Sequence, residues 1–285
     1  MIHAQPQADG AWLAPAKLNL MLRVLGRRDD GYHLLQTVFQ FLDRADRIYL
    51  QPRPDGDIQR VRGSNQIAPE ADLTVRAARL LQTATGCSLG VEIAVDKILP
   101  MGGGLGGGSS DAATVLHGLN QCWNLGCSLD ELAELGLRLG ADVPVFVRAQ
   151  AAWAEGVGEQ LTAVELPEPW YLVLTPPQAV STAAVFCHPD LTRDSQPITI
   201  ADFAAGDRRN DCLTVVLAQY AEVKAAYSWL NQHTTAYLTG TGGCLFAVFE
   251  SQAQAAAVAA QVPAQWSPFV AKGCNQSPLM QQVAP

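Results

Sequence analysis

Residues 100–113 read Pro100-Met101-Gly102-Gly103-Gly104-Leu105-Gly106-Gly107-Gly108-Ser109-Ser110-Asp111-Ala112-Ala113. Six of these fourteen residues are glycines, which allow left-handed backbone conformations and let a bulky anion approach successive amide groups. Ser109 and Ser110 are common helix N-cap residues, and the apolar residues after them recur at near-helical spacing. The stretch therefore predicts a loop that holds phosphate against the positive N-terminal end of a helix.

Other phosphate-binding patterns fit the glycine spacing less well. Gly102, Gly104 and Gly107 satisfy the loose pattern G-x-G-x-x-G, which would indicate a Rossmann dehydrogenase. That pattern needs an acidic residue at the end of the next strand, whereas the acids within residues 130–134 lie in a helical pattern. No Lys-Ser or Lys-Thr pair follows the glycines, so the Walker pattern is absent. A flexible linker is disfavoured because a capped amphipathic helix follows at once.

Length and composition indicate a globular protein with room for two domains. A chain of 285 residues that is 48% hydrophobic can bury one large core or two modest ones. Its longest apolar runs are too short to span a membrane, and residues 1–10 lack the pattern of an export signal. Seven scattered cysteines without a C-x-x-C pair are typical of a reducing compartment. We therefore expect a cytoplasmic protein that does not bind membranes.

The net charge bears on the partners. A formal charge of -8 argues against nucleic-acid binding, which requires a basic surface. Anionic substrates would have to be neutralised locally by backbone amides, lysines and a metal ion rather than by the overall field. We expect a small-molecule substrate, no nucleic-acid partner, and a monomer or weak homodimer.

Two polar positions are candidates for chemistry. The alternation over residues 17–25 places Lys17 and Asn19 side by side on the less apolar face of a strand, where a solvated lysine would be the ordinary explanation. Asp142 follows a helix that ends near Gly140 and precedes a predicted apolar strand, and an ordinary turn acid would fit there. The apolar surroundings favour a buried carboxylate, which would need a partner, and Lys17 is the candidate.

Three other positions leave alternatives open. A turn over residues 26–31 leads to Tyr32 and His33, and a histidine beside a turn is usually a surface residue. Lys97, just before the glycine-rich loop, could neutralise phosphate or be solvated. The turn over residues 240–243 lies between two apolar strands and could be only a tight hairpin, although turns of this kind often carry function.

The motif within residues 100–113 resembles the central motif of the GHMP kinases, named for galactokinase, homoserine, mevalonate and phosphomevalonate kinases. Stretches 15–20, 28–33, 140–146 and 238–242 resemble those members that phosphorylate 4-diphosphocytidyl-2-C-methyl-D-erythritol. The resemblance covers nearly the whole chain, from about Pro15 to Leu279. It implies an α+β fold of two domains, with mixed sheets, helices packed on them and an active site in the cleft between the domains. We expect an N-terminal domain over residues 1–165 and a C-terminal domain over residues 166–285.

The resemblance also implies an activity. It is that of a small-molecule kinase that transfers the γ-phosphoryl group of ATP, with Mg2+, to the 2-hydroxyl of this substrate in non-mevalonate isoprenoid biosynthesis. Asp142 would accept the hydroxyl proton, and Lys17 would orient Asp142 and stabilise developing charge. Asp111 suits the helix dipole but would repel phosphate, so its carboxylate is expected to point away or to act through the metal.

The remaining roles implied by the resemblance are binding roles. The expected ATP-binding residues are Lys97, Pro100, Met101, Gly102, Gly103, Gly104, Leu105, Gly106, Gly107, Gly108, Ser109 and Ser110. Either Ser109 or Ser110 is a candidate magnesium ligand. The expected substrate-binding residues are Asn19, Tyr32, His33, Phe186, Gly240, Thr241 and Gly242. Tyr32 would stack on the cytosine and His33 would hydrogen-bond it.

Two other functions remain open at this stage. Homoserine and mevalonate kinases share the fold, but their substrates carry no base to stack, so the Tyr32-His33 pair favours the diphosphocytidyl substrate. A catalytically silent nucleotide-binding module is disfavoured by the joint presence of Lys17 and Asp142.

Overall fold

The computed structural model describes residues 3–281, in which the strands form two sheets. The strands are β1 His3–Ala4, β2 Trp12–Arg27, β3 His33–Arg53, β4 Ile58–Arg62, β5 Gly90–Asp96, β6 Ala152–Glu155, β7 Gln160–Ala163, β8 Trp170–Thr175, β9 Tyr237–Leu238, β10 Leu245–Phe249, β11 Ser267–Cys274 and β12 Met280–Gln281. A two-stranded sheet pairs β1 with β12. The ten-stranded sheet follows the order β4-β5-β3-β11-β8-β10-β9, with β2 and β6 also on β3, and β7 on β6.

The helices pack on this mixed sheet. They are α1 Leu73–Thr85, α2 Gly107–Cys122, α3 Leu129–Leu137, α4 Val143–Arg148, α5 Thr182–Cys187, α6 Ile200–Ala204, α7 Leu213–Gln219, α8 Ala221–Asn231 and α9 Gln252–Ala259, with a 3-10 turn at Pro69–Ala71. The β4–β5 pair is parallel and the other ladders are antiparallel. Among residues 3–281, no helix combines the length and the apolar character that crossing a bilayer would require.

Three apolar clusters hold the fold together. One packs α1 and α2 against β3 and β5 with Phe41 and Leu116, and a second packs α7 and α8 against β8 and β10 with Leu172 and Leu230. A third cluster contains residues of both halves, such as Leu105 and Phe246, and joins them. The strand β11 also spans the two halves, because it pairs with β8 and then with β3. The predicted boundary at residues 165 and 166 stays a prediction.

Side chains cap α1 and α3, but not the helix that follows the glycine-rich loop. Asp72 caps α1 by accepting a hydrogen bond from the backbone N–H of Thr74, and Ser128 with Glu131 forms a capping box at the start of α3. The prediction that Ser109 or Ser110 caps α2 is wrong. The N-cap is Gly106, whose φ of 73° is in the left-handed region that favours glycine, so both serines lie inside the first turns of the helix.

The apolar run after Asp142 is a helix, not the predicted strand. Its five residues 143–147 are all buried, so they show no one-sided periodicity that could separate the two alternatives. Pro144 lies in the first turn, where its missing N–H costs nothing. The short helix α4 places Asp142 at its N-terminal end.

Candidate active site

The glycine-rich loop packs against a second loop that contains glycines, residues 239–243 of the C-terminal half. A Cβ atom added to Gly104 would lie 2.3 Å from the carbonyl oxygen of Thr239, and one added to Gly242 would lie 2.1 Å from the backbone nitrogen of Gly104. The Thr239 hydroxyl donates to the Gly104 carbonyl oxygen at 3.1 Å and accepts from the Asn19 N–H at 3.0 Å. These approaches require glycine at both positions. They place the two loops side by side.

The loop leads directly into the N-terminal turn of α2. Ser109 lines a cavity next to the loop, whereas Ser110 is fully buried and its hydroxyl has no hydrogen-bond partner among residues 3–281. The helix α2 has 16 residues, so it is long enough to have a substantial dipole. Its free N–H groups and the positive end of that dipole favour an anion at its N-terminus. The geometry thus fits the phosphate cradle expected from the sequence.

Lys17 lies beneath the loop with three oxygen atoms around its ammonium group. Its Nζ atom is 2.5 Å from Asn19 Oδ1, 3.2 Å from the Gly104 carbonyl oxygen and 3.2 Å from Asp142 Oδ2. The ammonium also lies 5.2 Å from the centre of the Phe39 ring. The side chain of Lys17 is only 3% exposed, so the solvated strand face is excluded and the predicted contact with Asp142 is present.

Asp142 differs from the buried carboxylate expected from its apolar neighbours. Its side chain is 38% exposed and lines the same cavity as Lys17. The apolar residues that follow it point into the core from α4, while Asp142 itself lies before the helix at the edge of the cavity. One of its oxygens therefore contacts the buried ammonium while the group remains accessible to a ligand.

Asn19 uses both ends of its amide within the protein. Its Oδ1 accepts from Lys17, and its Nδ2 donates to the Thr37 hydroxyl at 2.9 Å. Irregularities in the β2–β3 pairing occur on both sides of the segment 17–19. Asn19 lines the cavity, as expected for a substrate contact, and it also fixes the position of the Lys17 ammonium.

The cavity next to the loop has a volume of about 630 Å³ and contains aromatic residues as well as the charged pair. Its lining includes Lys17, Asn19, Tyr32, His33, Gly104, Ser109, Asp142, Phe186, Gly240 and Thr241. The rings of His33 and Phe186 stack with centres 4.9 Å apart and planes inclined by 21°, and Tyr32 is 62% exposed beside them. One cavity thus contains both the candidate catalytic residues and the candidate base-binding aromatic residues, which lie far apart in the chain. Gly242 is not among the lining residues and packs on the glycine-rich loop instead.

Lys97 has a different environment from the one expected of a phosphate ligand. Its Nζ atom is 2.5 Å from Asp46 Oδ2 and 2.7 Å from Asp111 Oδ2. Asp46 Oδ1 also accepts from the backbone N–H groups of Ile98, at 2.5 Å, and Leu99, at 2.7 Å. The ammonium is thus already paired with two carboxylates, and Asp111 points towards Lys97 rather than towards the anion-binding amides. An additional cavity of about 530 Å³ borders Lys97.

Burial and charge shift the pKa values in this cluster. Burial raises the pKa of Asp111 to about 7 against the attraction of Lys97, and the neighbouring Asp46 carboxylate adds to the rise. Burial alone would lower the pKa of Lys97, but the carboxylates of Asp111 and Asp46 outweigh it and raise that pKa. Directly behind the loop, burial and the neighbouring Asp46 carboxylate therefore disfavour the ionised form of Asp111, and the Lys97 ammonium offsets this only in part.

Sequence reasoning missed three residues that hold the site together. Asp46 fixes the segment before the loop, Thr239 bridges the two glycine loops, and Arg193 contacts His33. Thr239 lies in the stretch 238–242 and was within reach of the motif. Asp46 and Arg193 have no local pattern that marks them.

The chain is similar in sequence to proteins of one enzyme family. The model described as "GHMP kinases N terminal domain" matches residues 72–150, and the model described as "GHMP kinases C terminal" matches residues 198–268. The chain is 57% identical over 269 residues to the 4-diphosphocytidyl-2-C-methyl-D-erythritol kinase of Alkalilimnicola ehrlichii, covering 94% of this chain and 92% of that protein. It is 55% identical to the protein of the same name from Nitrosococcus oceani, covering 94% and 96%.

Solved structures agree with this assignment. A crystal structure of 4-(cytidine 5'-diphospho)-2C-methyl-D-erythritol kinase has a TM-score of 0.80 at 32% identity, covering 92% of this chain and 98% of that one. The homoserine kinase of Cytophaga hutchinsonii, with a TM-score of 0.66 at 16% identity, covers 95% and 98% and shares the fold. The chain therefore belongs to the 4-diphosphocytidyl-2-C-methyl-D-erythritol kinases of the GHMP kinase family.

Proposed function

We propose that this protein transfers the γ-phosphoryl group of ATP to the 2-hydroxyl of 4-diphosphocytidyl-2-C-methyl-D-erythritol, as a step in non-mevalonate isoprenoid biosynthesis. The observation that carries the proposal is the arrangement of one cavity. The Lys17–Asp142 pair lies in it beside the phosphate loop, and Tyr32 and the His33–Phe186 stack lie in it as the groups that would bind a base. Such a cavity fits a substrate with an alcohol and a nucleobase.

The chemistry assigned to the pair follows from its geometry. Asp142 is accessible from the cavity and accepts the proton of the attacking hydroxyl, while Lys17 holds one of its oxygens in place. The Lys17 ammonium also adds positive charge where negative charge develops on the transferred group. Because Lys17 is held by two neutral oxygens as well, its position does not depend on Asp142 alone.

The phosphate end is built from backbone. The amides of residues 102–108 and the start of α2 hold the triphosphate, since glycines there leave the N–H groups accessible. Lys97 contributes to the ATP end indirectly, because its ammonium pairs with Asp111 of α2 and with Asp46, which binds the N–H groups just before the loop. Pro100, Met101 and Leu105 belong to the same segment and shape it.

The residues present fit a magnesium ion carried by the nucleotide. Ser109 lines the cavity, and the unpartnered hydroxyl of Ser110 is a hard oxygen ligand in the first turns of α2. Among residues 3–281 no group of three or more His, Cys, Asp or Glu side chains could hold a metal, so the phosphates would supply most ligands. When bound, Mg2+ neutralises charge on the phosphate oxygens.

At the base end, Tyr32 stacks on the cytosine and His33 hydrogen-bonds it, while Phe186 holds the His33 ring by stacking on it. The substrate contacts are completed by Asn19, Gly240 and Thr241, which line the cavity, and by Gly242, which acts by packing on the glycine-rich loop. A cytoplasmic location, the absence of a nucleic-acid partner, and a monomeric or weakly dimeric state stay predictions.

The test is ADP release by the purified protein with Mg-ATP. The substrates compared are the diphosphocytidyl methylerythritol compound, the same compound without its cytidine, mevalonate and homoserine. We expect turnover with the cytidine-bearing compound alone, and Asp142→Asn to lower kcat by about 10³-fold because the proton acceptor is lost.

Asp130→Asn is the matched control, because Asp130 is an exposed carboxylate in a surface ion pair and its loss leaves the cavity intact. Turnover that ignores the cytidine would contradict the assignment of Tyr32 and His33. An Asp142→Asn variant with wild-type kcat would contradict the assignment of the base.

A further inference from the structure

The guanidinium of Arg193 lies outside the assigned site but links two of its residues. Its Nε donates to His33 Nε2 at 3.2 Å, and one terminal nitrogen donates to the carbonyl oxygens of Phe186 and His188, both at 2.8 Å. The other terminal nitrogen donates to the Leu191 carbonyl oxygen at 3.2 Å. One side chain therefore ties the His33 ring to the end of α5, which carries the Phe186 ring.

The direction of the contact with His33 decides where the imidazole proton lies. A guanidinium only donates and stays charged at any ordinary pH, so His33 Nε2 must be the acceptor. In a neutral imidazole with Nε2 as acceptor, the proton is on Nδ1. His33 Nδ1 makes no hydrogen bond within residues 3–281, and His33 lines the cavity.

The surroundings also oppose a charged imidazole. Burial lowers the pKa of His33, and the positive charges of Arg193 and Arg27 lower it further. A protonated ring would lose its acceptor at Nε2 and place two cations in contact. The ring is therefore neutral and has a single donor.

We infer that Arg193 is a positioning residue for base recognition: it holds His33 as the Nδ1–H tautomer and keeps the Phe186 ring stacked on it, so that the pocket offers a donor to an unprotonated ring nitrogen or carbonyl of a pyrimidine. Cytosine has such acceptors at N3 and O2, whereas N3 of uracil carries a proton. The inference rests on the proposed function, because it assigns this end of the cavity to the nucleoside base.

The tautomer is measured without substrate, by nitrogen-15 NMR of protein labelled in histidine. The His33 resonances are identified by their loss in His33→Gln. We expect an unprotonated Nε2 and a protonated Nδ1 at pH 7.5 in the wild-type protein, and in Arg193→Met a shift towards the Nε2–H tautomer or the imidazolium. A wild-type ring protonated at Nε2 would overturn the inference.

The functional consequence is measured with the same variant. We expect Arg193→Met to weaken CDP binding and to raise KM for the diphosphocytidyl substrate about tenfold, since a charge-assisted hydrogen bond is lost, while kcat changes less than about threefold. We also expect the ratio of CDP affinity to UDP affinity to be smaller in Arg193→Met than in the wild-type protein. Arg193→Lys, which keeps one donor but not the forked geometry, is expected to fall between Arg193→Met and wild type.

Arg79→Met is the matched control, because Arg79 is exposed on α1 away from the cavity. Equal CDP binding in Arg193→Met and wild type, or an unchanged preference for CDP over UDP, would contradict the inference. Failure of the proposed function would be seen separately, as absence of wild-type turnover with the diphosphocytidyl substrate whatever tautomer NMR reports.

Discussion

Two lysines lie against the glycine-rich loop, and their surroundings differ in charge and in access. Lys17 contacts one carboxylate, that of Asp142, whose side chain is 38% exposed, together with two neutral oxygens. Lys97 contacts two carboxylates, those of Asp46 and Asp111, which are buried. The first cluster is neutral overall and open to the cavity that contains Asp142, whereas the second is closed to that cavity and holds one ammonium against two buried carboxylates.

The difference indicates that the two lysines have different roles, one in catalysis and one in structure. A buried ammonium paired with an accessible carboxylate leaves that carboxylate able to meet a ligand, which is what a catalytic base requires. An ammonium enclosed by two carboxylates, one of which also binds the N–H groups of Ile98 and Leu99, holds the backbone before the loop. Desolvating such charges is costly, so we expect them to fix geometry rather than to add much net stability.

The largest expected effect comes from breaking the open cluster. Lys17→Met removes the charge beside the reacting groups, and we expect kcat to fall by about 10³-fold. The melting temperature should change little, because Asp142 can be solvated from the cavity once its partner is gone. Steady-state ADP release and thermal unfolding measure the two quantities. Lys224→Met, at an exposed position of α8, is the control, and a loss of less than tenfold in Lys17→Met would contradict the catalytic role.

Breaking the closed cluster should instead act on folding. Asp46→Ala leaves the half-buried Lys97 with one partner and removes the acceptor of two backbone N–H groups, so we expect a loss of about 3 kcal/mol in the free energy of unfolding. Denaturant unfolding measures it. Asp130→Ala, which removes only a surface ion pair with Arg148, should cost less than about 1 kcal/mol. Equal stabilities of the two variants would mean that Asp46 does not hold the loop.

The sequence predicts the open cluster better than the closed one. Lys17 and Asn19 lie two residues apart on a strand, and the glycine-rich loop has a local pattern, so short-range rules apply to both. Asp46 is 51 residues from Lys97 and meets it only because β3 and β5 pair side by side. Its contacts with backbone N–H groups have no counterpart in the side-chain pattern, and no periodicity of β3 marks it.

Other errors have equally physical causes. The run 143–147 is too short and too uniformly apolar to show whether it is a strand or a helix. The serines after the glycines are good N-caps by type, but the left-handed Gly106 starts the helix earlier. Arg193 lies in an irregular stretch, and three of its four acceptors are carbonyl oxygens, which every residue possesses.

The smallest expected effect tests the charge of the closed cluster through pH. An unfolded aspartate has a pKa near 3.8, whereas burial raises the pKa of Asp111 to about 7 in the folded protein. Between these two values the folded chain keeps a proton that the unfolded chain has released. The contribution of Asp111 to stability therefore falls as pH rises from about 4 to about 7.

Asp111→Asn removes this titration while Asp46 still pairs with Lys97. We expect the melting temperature of the variant, relative to wild type, to rise by about 2 °C or more between pH 5 and pH 8, because all other titrating groups are common to both proteins. Asp130→Asn, at an exposed carboxylate, should show no such trend. A difference between Asp111→Asn and wild type that is constant with pH, or that falls as pH rises, would show that Asp111 is ionised throughout. The closed cluster would then carry its full negative charge behind the phosphate loop, and the contrast with Lys17 would be larger than the raised pKa implies.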